Sequence, residues 1–216
     1  MVSGRSTKGE SMTKRIIVSD RVYRQRRVVE TAFEGNKLAV FDFDQTLFRS
    51  PEAPDWWKEN TWWTNPASLS VPIVPEKPGS GWWNGTVLSK ARASIKEERG
   101  IYTALITGRV EDTYSTRITE LLNNEGIRFD ELRFKAVVEE DTAEYKARHI
   151  RSIADKFPDS IESIHIWEDR GKHLKEIAAE LESVGYSVVQ HLITDTGSHD
   201  VDCTESEYED SLEVDT

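Results

Sequence analysis

From residue 37 onward, the hydrophobic and polar positions of this chain fall into a repeating order. Five apolar runs read as strands: 37–43 (KLAVFDF), 101–106 (IYTALI), 131–138 (ELRFKAVV), 163–167 (SIHIW) and 186–193 (YSVVQHLI). Between them, the stretches 85–99, 111–125, 142–156 and 171–184 carry apolar residues three and four apart, the period of a helix with one buried face. ITELLNNEGI and IAAELESVGY end in glycines suited to helix C-caps. Strands alternating with helices predict an α/β fold, a Rossmann-like three-layer sandwich around a parallel sheet with right-handed crossovers. Ligands of such sheets bind at the carboxyl ends of the strands.

Three stretches break the pattern. Residues 48–84 are rich in Pro, Trp, Ser and Asn. A connection of that length inside a compact domain predicts a cap or lid insertion. Residues 1–14 are small and polar and are expected to be disordered, whereas 15–33 read as a short strand or an amphipathic helix. The segment GRSTKGES nearly spells a phosphate-binding loop, but Glu10 stands where a lysine is required. Residues 195–216 contain nine acidic residues and no Lys or Arg, and predict a disordered acidic tail. One domain over 15–194 is therefore expected.

That tail also changes how the charge is read. The formal net charge is −11, and nine of those negative charges lie after residue 194. The first 36 residues hold eight Lys/Arg against four acids, including Arg21, Arg24, Arg26 and Arg27, which could meet a nucleic-acid backbone or simply face solvent. Local patches rather than overall acidity decide what binds. The single cysteine, Cys203, can form no internal disulfide. No apolar run approaches the ~20 residues of a membrane span, and the basic N-terminus lacks the apolar core of a secretory signal. A soluble, intracellular protein with no membrane association is expected, in cytoplasm or nucleus.

The chemistry concentrates at strand ends. Asp42 and Asp44 close the first strand run, and alternation puts both on one side with Phe41 and Phe43 on the other. Two carboxylates so close are best tolerated with a cation between them, although turn residues would look the same. The second run ends LITGR, where the Thr107 hydroxyl, the Gly108 N–H and the Arg109 guanidinium suit a phosphate oxygen. The fourth ends IWEDR, placing Glu168 and Asp169 at the same sheet edge, followed by Arg170. Each could instead be a helix cap or turn, but three such ends together favour a site. A divalent ion would take its oxygen ligands from this cluster, and Mg²⁺ is the usual choice beside phosphate.

These residues resemble the haloacid dehalogenase (HAD)-like phosphohydrolase superfamily. Its first motif, D-x-D-x-T, matches Asp42-Phe43-Asp44-Gln45-Thr46, its second matches Thr107, and its fourth matches Glu168-Asp169. The resemblance implies a HAD-like fold, with Asp42 as the nucleophile that forms an aspartyl-phosphate and Asp44 as general acid and then base. It also implies Mg²⁺ held among Asp42, Asp44, Glu168 and Asp169, with Thr46, Gly108, Arg109 and Arg170 contacting substrate. Asp44 favours a phosphatase over the ATPase type, which carries Thr there. LITGR, TAEYK and IWEDRGKH look more narrowly like the phosphatase domain of polynucleotide kinase-phosphatases and the HAD domain of Swiss-army-knife RNA-repair proteins. That favours Lys146 over Lys135 as the motif lysine.

The irregular segment holds three doublets, Trp56-Trp57, Trp62-Trp63 and Trp82-Trp83. Neighbours in an extended chain point opposite ways, so each doublet can bury one ring and present the other, where it could stack on a base. The segment looks too irregular for a full cap domain, and a sparsely capped site admits a polymer end. The expected substrate is a terminal, 3′ phosphate on RNA or DNA. A small-molecule phosphatase would use the same residues, whereas a non-catalytic module that binds phosphorylated ends would keep the fold without turnover and would have no need of Asp42 as nucleophile.

Overall fold

The computed structural model describes residues 33, 35–97, 100–195, 197 and 203–213. The expectations for 1–14, for the 15–32 stretch and for Arg21, Arg24, Arg26 and Arg27 lie outside the described residues. The strands are β1 (Lys37–Phe41), β2 (Ile101–Val110), β3 (Glu131–Lys135), β4 (Ser163–Glu168) and β5 (Ser187–Leu192). The helices are α1 (Gly85–Lys96), α2 (Glu111–Asn124), α3 (Thr142–Ala154), α4 (Gly171–Ser183) and α5 (Glu205–Glu213).

The five strands form one sheet in the order β3-β2-β1-β4-β5, every pair parallel. Three-layer α/β architecture follows, as the periodicity predicts. Ala39 and Phe41 of β1 join a core with Val87, Leu88 and Ala91 of α1 and Tyr114, Ile118 and Leu121 of α2. Leu38 and Val40 face the other way, against Ile150 and Ile153 of α3 and Leu174 and Ile177 of α4. Strand parity thus sends alternate residues of one strand into two separate cores. The strand order reverses between β1 and β4, so a crevice opens between their carboxyl ends.

Local sequence sets the helix ends. Asn84 accepts from Val87 N at 3.3 Å to open α1, and Asp141 accepts from Ala143 N and Glu144 N at 2.9 and 3.0 Å to open α3. Gly126 and Gly185 follow α2 and α4 with φ of 72° and 99°, the left-handed caps that the sequence indicates.

Residues after β1 do not form a cap domain. They make three short 3₁₀ turns, Trp62–Thr64, Pro66–Leu69 and Ser80–Trp82, packed on the α1/α2 core. Trp62 and Trp83 are buried, with Trp62 Nε1 donating to Pro51 O at 2.7 Å, while Trp63 is 40% exposed. The one-in, one-out reading fits the second doublet best.

The acidic tail departs from expectation. Its residues 205–213 form α5, and Tyr208 stacks on Trp56 with ring centroids 5.4 Å apart. Trp56 Nε1 donates to Cys203 O at 3.0 Å, and Asp195 pairs with Arg49 at 3.1 Å. Acidic composition hid an aromatic anchor: one Tyr ring meeting Trp56 and Trp57 supplies the apolar contact that the flanking carboxylates lack.

Candidate active site

Asp42 follows β1 directly, and its N–H donates to Trp167 O at 3.0 Å, which fixes it beside the end of β4. The next residues turn sharply. Gln45 has φ of 56°, a conformation in which a residue with a side chain is strained by roughly 1–3 kcal/mol. Its Nε2 donates to Ser50 O at 2.5 Å and holds the turn.

Around Asp42 lies a buried charge cluster. Lys146, from α3, places Nζ 2.7 Å from Asp42 Oδ1 and 2.6 Å from Glu168 Oε2. Arg170 donates from its backbone N and from Nε to Glu168 Oε1 at 3.3 and 3.5 Å. Thr46 Oγ1 donates to Asp169 Oδ1 at 3.4 Å. Carboxylate oxygens of Asp42, Glu168 and Asp169 all lie within 4.8 Å of one another.

Three carboxylates against two cations leave this cluster short of positive charge. Burial, then the nearby Glu168 carboxylate, pushes Asp42 up to about 7 in spite of Lys146. Burial and Glu168 likewise push Asp169 up to about 6. Glu168 is the exception: burial raises it, but Lys146 and Arg170 outweigh that and hold it near 2. An all-oxygen donor set with this deficit fits a hard divalent cation such as Mg²⁺. One Glu168 oxygen accepts from Lys146 and the other from Arg170.

Asp44 does not join this cluster. Arg109 Nε donates to both its oxygens at 3.1 and 2.9 Å, Arg109 Nη2 donates at 2.7 Å, and Ser50 Oγ donates at 2.6 Å. Burial raises Asp44, but the Arg109 charge and hydrogen bonds reverse that and lower it below the ordinary value. Its carboxylate is thus engaged by a guanidinium and a hydroxyl and stands outside the group formed by Asp42, Glu168 and Asp169.

The same contacts place Arg109. Besides Asp44, it donates from Nη1 to Trp63 O at 3.0 Å and to Ser68 Oγ at 2.7 Å. Its guanidinium lies between the rings of Trp63 and Tyr114, 5.0 and 4.6 Å from their centroids. Arg109 thus ties the Trp-rich segment to Asp44 while lining the cavity.

A cavity of about 490 Å³ opens over these residues. Asp42, Asp44, Gly108, Arg109, Asp169 and Arg170 line it, while Thr46, Thr107, Lys146 and Glu168 are buried and outside its lining. Thr107 Oγ1 accepts from Arg109 N at 3.2 Å. Gly108 sits where a Cβ would come within 3.2 Å of Thr142 Cγ2, so its lack of a side chain lets β2 end against the start of α3.

Sequence reasoning missed Ser50, Ser68, Glu52 and Trp63 as individual site residues. Only Trp63 carried a signal, its doublet. Lys135, the other candidate for the motif lysine, is buried in the cavity wall with Nζ donating to Val138 O at 2.9 Å. Contact with Asp42 nevertheless belongs to Lys146.

Residues 43–214 match the model for HAD domain family 1 in Swiss Army Knife RNA repair proteins. The chain belongs to this family. An uncharacterized protein of Saccharomyces cerevisiae is 28% identical over 160 residues, covering 62% of this chain. The chain spans only 34% of that relative's length. Among solved structures, the HAD domain of the Legionella pneumophila effector Lem4 aligns over 83% of this chain and 94% of its own, at 15% identity and a TM-score of 0.48. A chain of the Pnkp1/Rnl/Hen1 RNA repair complex aligns over 81% of this chain and 47% of its own, at 15% identity and a TM-score of 0.44. No helix among the described residues is long and apolar enough to cross a membrane.

Proposed function

We propose that this HAD domain is a Mg²⁺-dependent phosphoric monoester hydrolase that removes a terminal 3′ phosphate from RNA or DNA through an aspartyl-phosphate on Asp42. One observation carries the reading: a buried carboxylate, 2.7 Å from a buried lysine, lines a cavity where the strand order reverses. Membership in a family found in RNA repair proteins supports the choice of a nucleic-acid end.

In the first step an Asp42 oxygen attacks phosphorus while the bond to the leaving oxygen breaks, and Asp44 gives that oxygen a proton. In the second, water attacks phosphorus, Asp44 takes its proton, and Asp42 departs as a carboxylate with release of inorganic phosphate. Arg109 and Ser50 fix the direction of Asp44 and favour its carboxylate form, which accepts the proton of water in the second step; for the first step Asp44 must carry a proton taken from solvent, as it would when the substrate's negative charge enters the site. Lys146 offsets charge on Asp42 and on the phosphoryl oxygens, and Arg170 meets those oxygens from the cavity wall. Asp42 and Asp169, with Glu168 beside them, would hold Mg²⁺, which would supply positive charge that favours ionised Asp42 and polarises the phosphate.

The test is a panel of 3′- and 5′-phosphorylated oligonucleotides, cyclic-phosphate ends and mononucleotides, assayed with Mg²⁺ and with chelator, beside Asp42→Asn. Phosphate release from 3′ ends, lost on chelation and in Asp42→Asn, is expected. Preference for mononucleotides would make this a small-molecule phosphatase. Tight binding of phosphorylated ends without turnover would make it a binding module.

A further inference from the structure

We propose that Trp63 is the stacking surface for the nucleobase next to the scissile phosphate, a specificity element built on the reading of a nucleic-acid phosphatase. Three observations on this ring converge. It is 40% exposed while lining the same cavity as Asp42, whereas its partner Trp62 is buried. Its main chain is anchored, with both Arg109 Nη1 and Tyr114 Oη donating to Trp63 O at 3.0 and 3.2 Å, and the Arg109 guanidinium lies over one face of the ring. It is also one guanidinium away from Asp44, since Arg109 touches the ring and grips the carboxylate.

Chemistry makes that third relation decisive. Asp44 protonates the leaving oxygen, so the leaving group must lie on the Asp44 side of the phosphate. For a 3′-phosphorylated end the leaving group is the terminal nucleoside, which puts its base beside Arg109 and Trp63. A cavity of about 490 Å³ far exceeds a phosphate group and lies within the range of ordinary organic ligands. An indole on an anchored main chain, with Arg109 over one face, loses little freedom on binding, so its stacking energy goes into affinity. Other doublet rings are committed elsewhere: Trp56 to Tyr208, Trp57 and Trp62 to each other, and Trp82 and Trp83 to Phe48.

The experiment compares two 3′-phosphorylated oligonucleotides that differ only in whether the terminal sugar carries a base. Wild type should favour the base-bearing end in kcat/KM by about 5- to 150-fold, the span of ~1–3 kcal/mol of stacking. Most of that preference should sit in KM. Trp63→Ala should bring the ratio close to one, and Trp63→Phe should restore much of it. A ratio is read because truncating Trp63 also disturbs Arg109, which affects both substrates alike. Equal wild-type rates on the two ends, or a preference that survives in Trp63→Ala, would overturn the stacking role alone. Wild-type turnover of neither end would overturn the nucleic-acid reading and the inference together. A Trp63-dependent preference seen only between aryl and alkyl phosphates would replace the nucleobase with a small aromatic leaving group.

Discussion

Two buried charge clusters sit on the one sheet, at opposite ends of its strands. At the carboxyl ends, Asp42, Glu168 and Asp169 share Lys146 and Arg170. At the amino end of β3, Glu131 is fully buried and receives Arg133 at 3.0 Å, the Tyr102 hydroxyl at 2.7 Å, and Lys156. Each holds a carboxylate that is almost fully buried, yet Asp42 and Glu131 behave oppositely. Burial raises Glu131, but Lys156, Tyr102 and Arg133 outweigh it and hold it below its ordinary value. Asp42 is driven up to about 7. The difference is charge balance: the lower cluster is satisfied by the chain's own groups, and the upper one is finished only by something added. Buried charge by itself therefore marks structure, and buried charge left short of a counterion beside a cavity marks a site.

The largest break of this contrast is Lys146→Met. Loss of the lysine leaves Asp42 and Glu168 facing each other, so kcat should fall by about 10²- to 10³-fold and stability by about 3–5 kcal/mol, read by urea denaturation. Next is a pair with opposite signs. In metal-free protein above pH 7, Asp42→Asn should be at least as stable as wild type, because it removes an ionised carboxylate that the folded state disfavours. Glu131→Gln should be less stable by about 1–3 kcal/mol, with turnover close to wild type.

The pH dependence follows from the same shifts. Asp42 binds its proton more tightly folded than unfolded, so its contribution to stability falls as pH rises from 3.8 through about 7. Glu131 does the reverse: its contribution is complete above 4.5 and is lost as pH falls through its lower folded value. Thermal melts of the metal-free protein and both variants across pH 3–8 separate the two. Added Mg²⁺ should flatten the Asp42 part of the wild-type profile by binding the folded state.

The strands and helices were legible because both periods are strong here and the crossovers allow few arrangements. The carboxylates of the site were legible for a related reason: parallel strands bring their ends to one edge, so Asp42 and Glu168 meet on Lys146 although they are far apart in sequence. What escaped was local and side-chain deep. Nothing in LITGR says that Arg109 turns back to Asp44, since that depends on Ser68 and the Trp63 carbonyl arriving from an irregular segment. Lys135 and Lys146 both belong to chemistry-bearing stretches, and only the packing of α3 against α4 and β2 puts one of them on Asp42. The tail misled because composition averages over residues, and a single Tyr208 stacked on Trp56 outweighs its acidic neighbours.

The central claim is that Asp42 carries the phosphoryl group. A single-turnover reaction with 3′-phosphorylated oligonucleotide, quenched in acid and mapped by peptide mass spectrometry, tests it most directly. The account predicts a transient covalent phosphate on Asp42 that forms before free phosphate appears and is absent from Asp42→Asn. Full phosphate release with no adduct on Asp42, at an undiminished rate in Asp42→Asn, would contradict it.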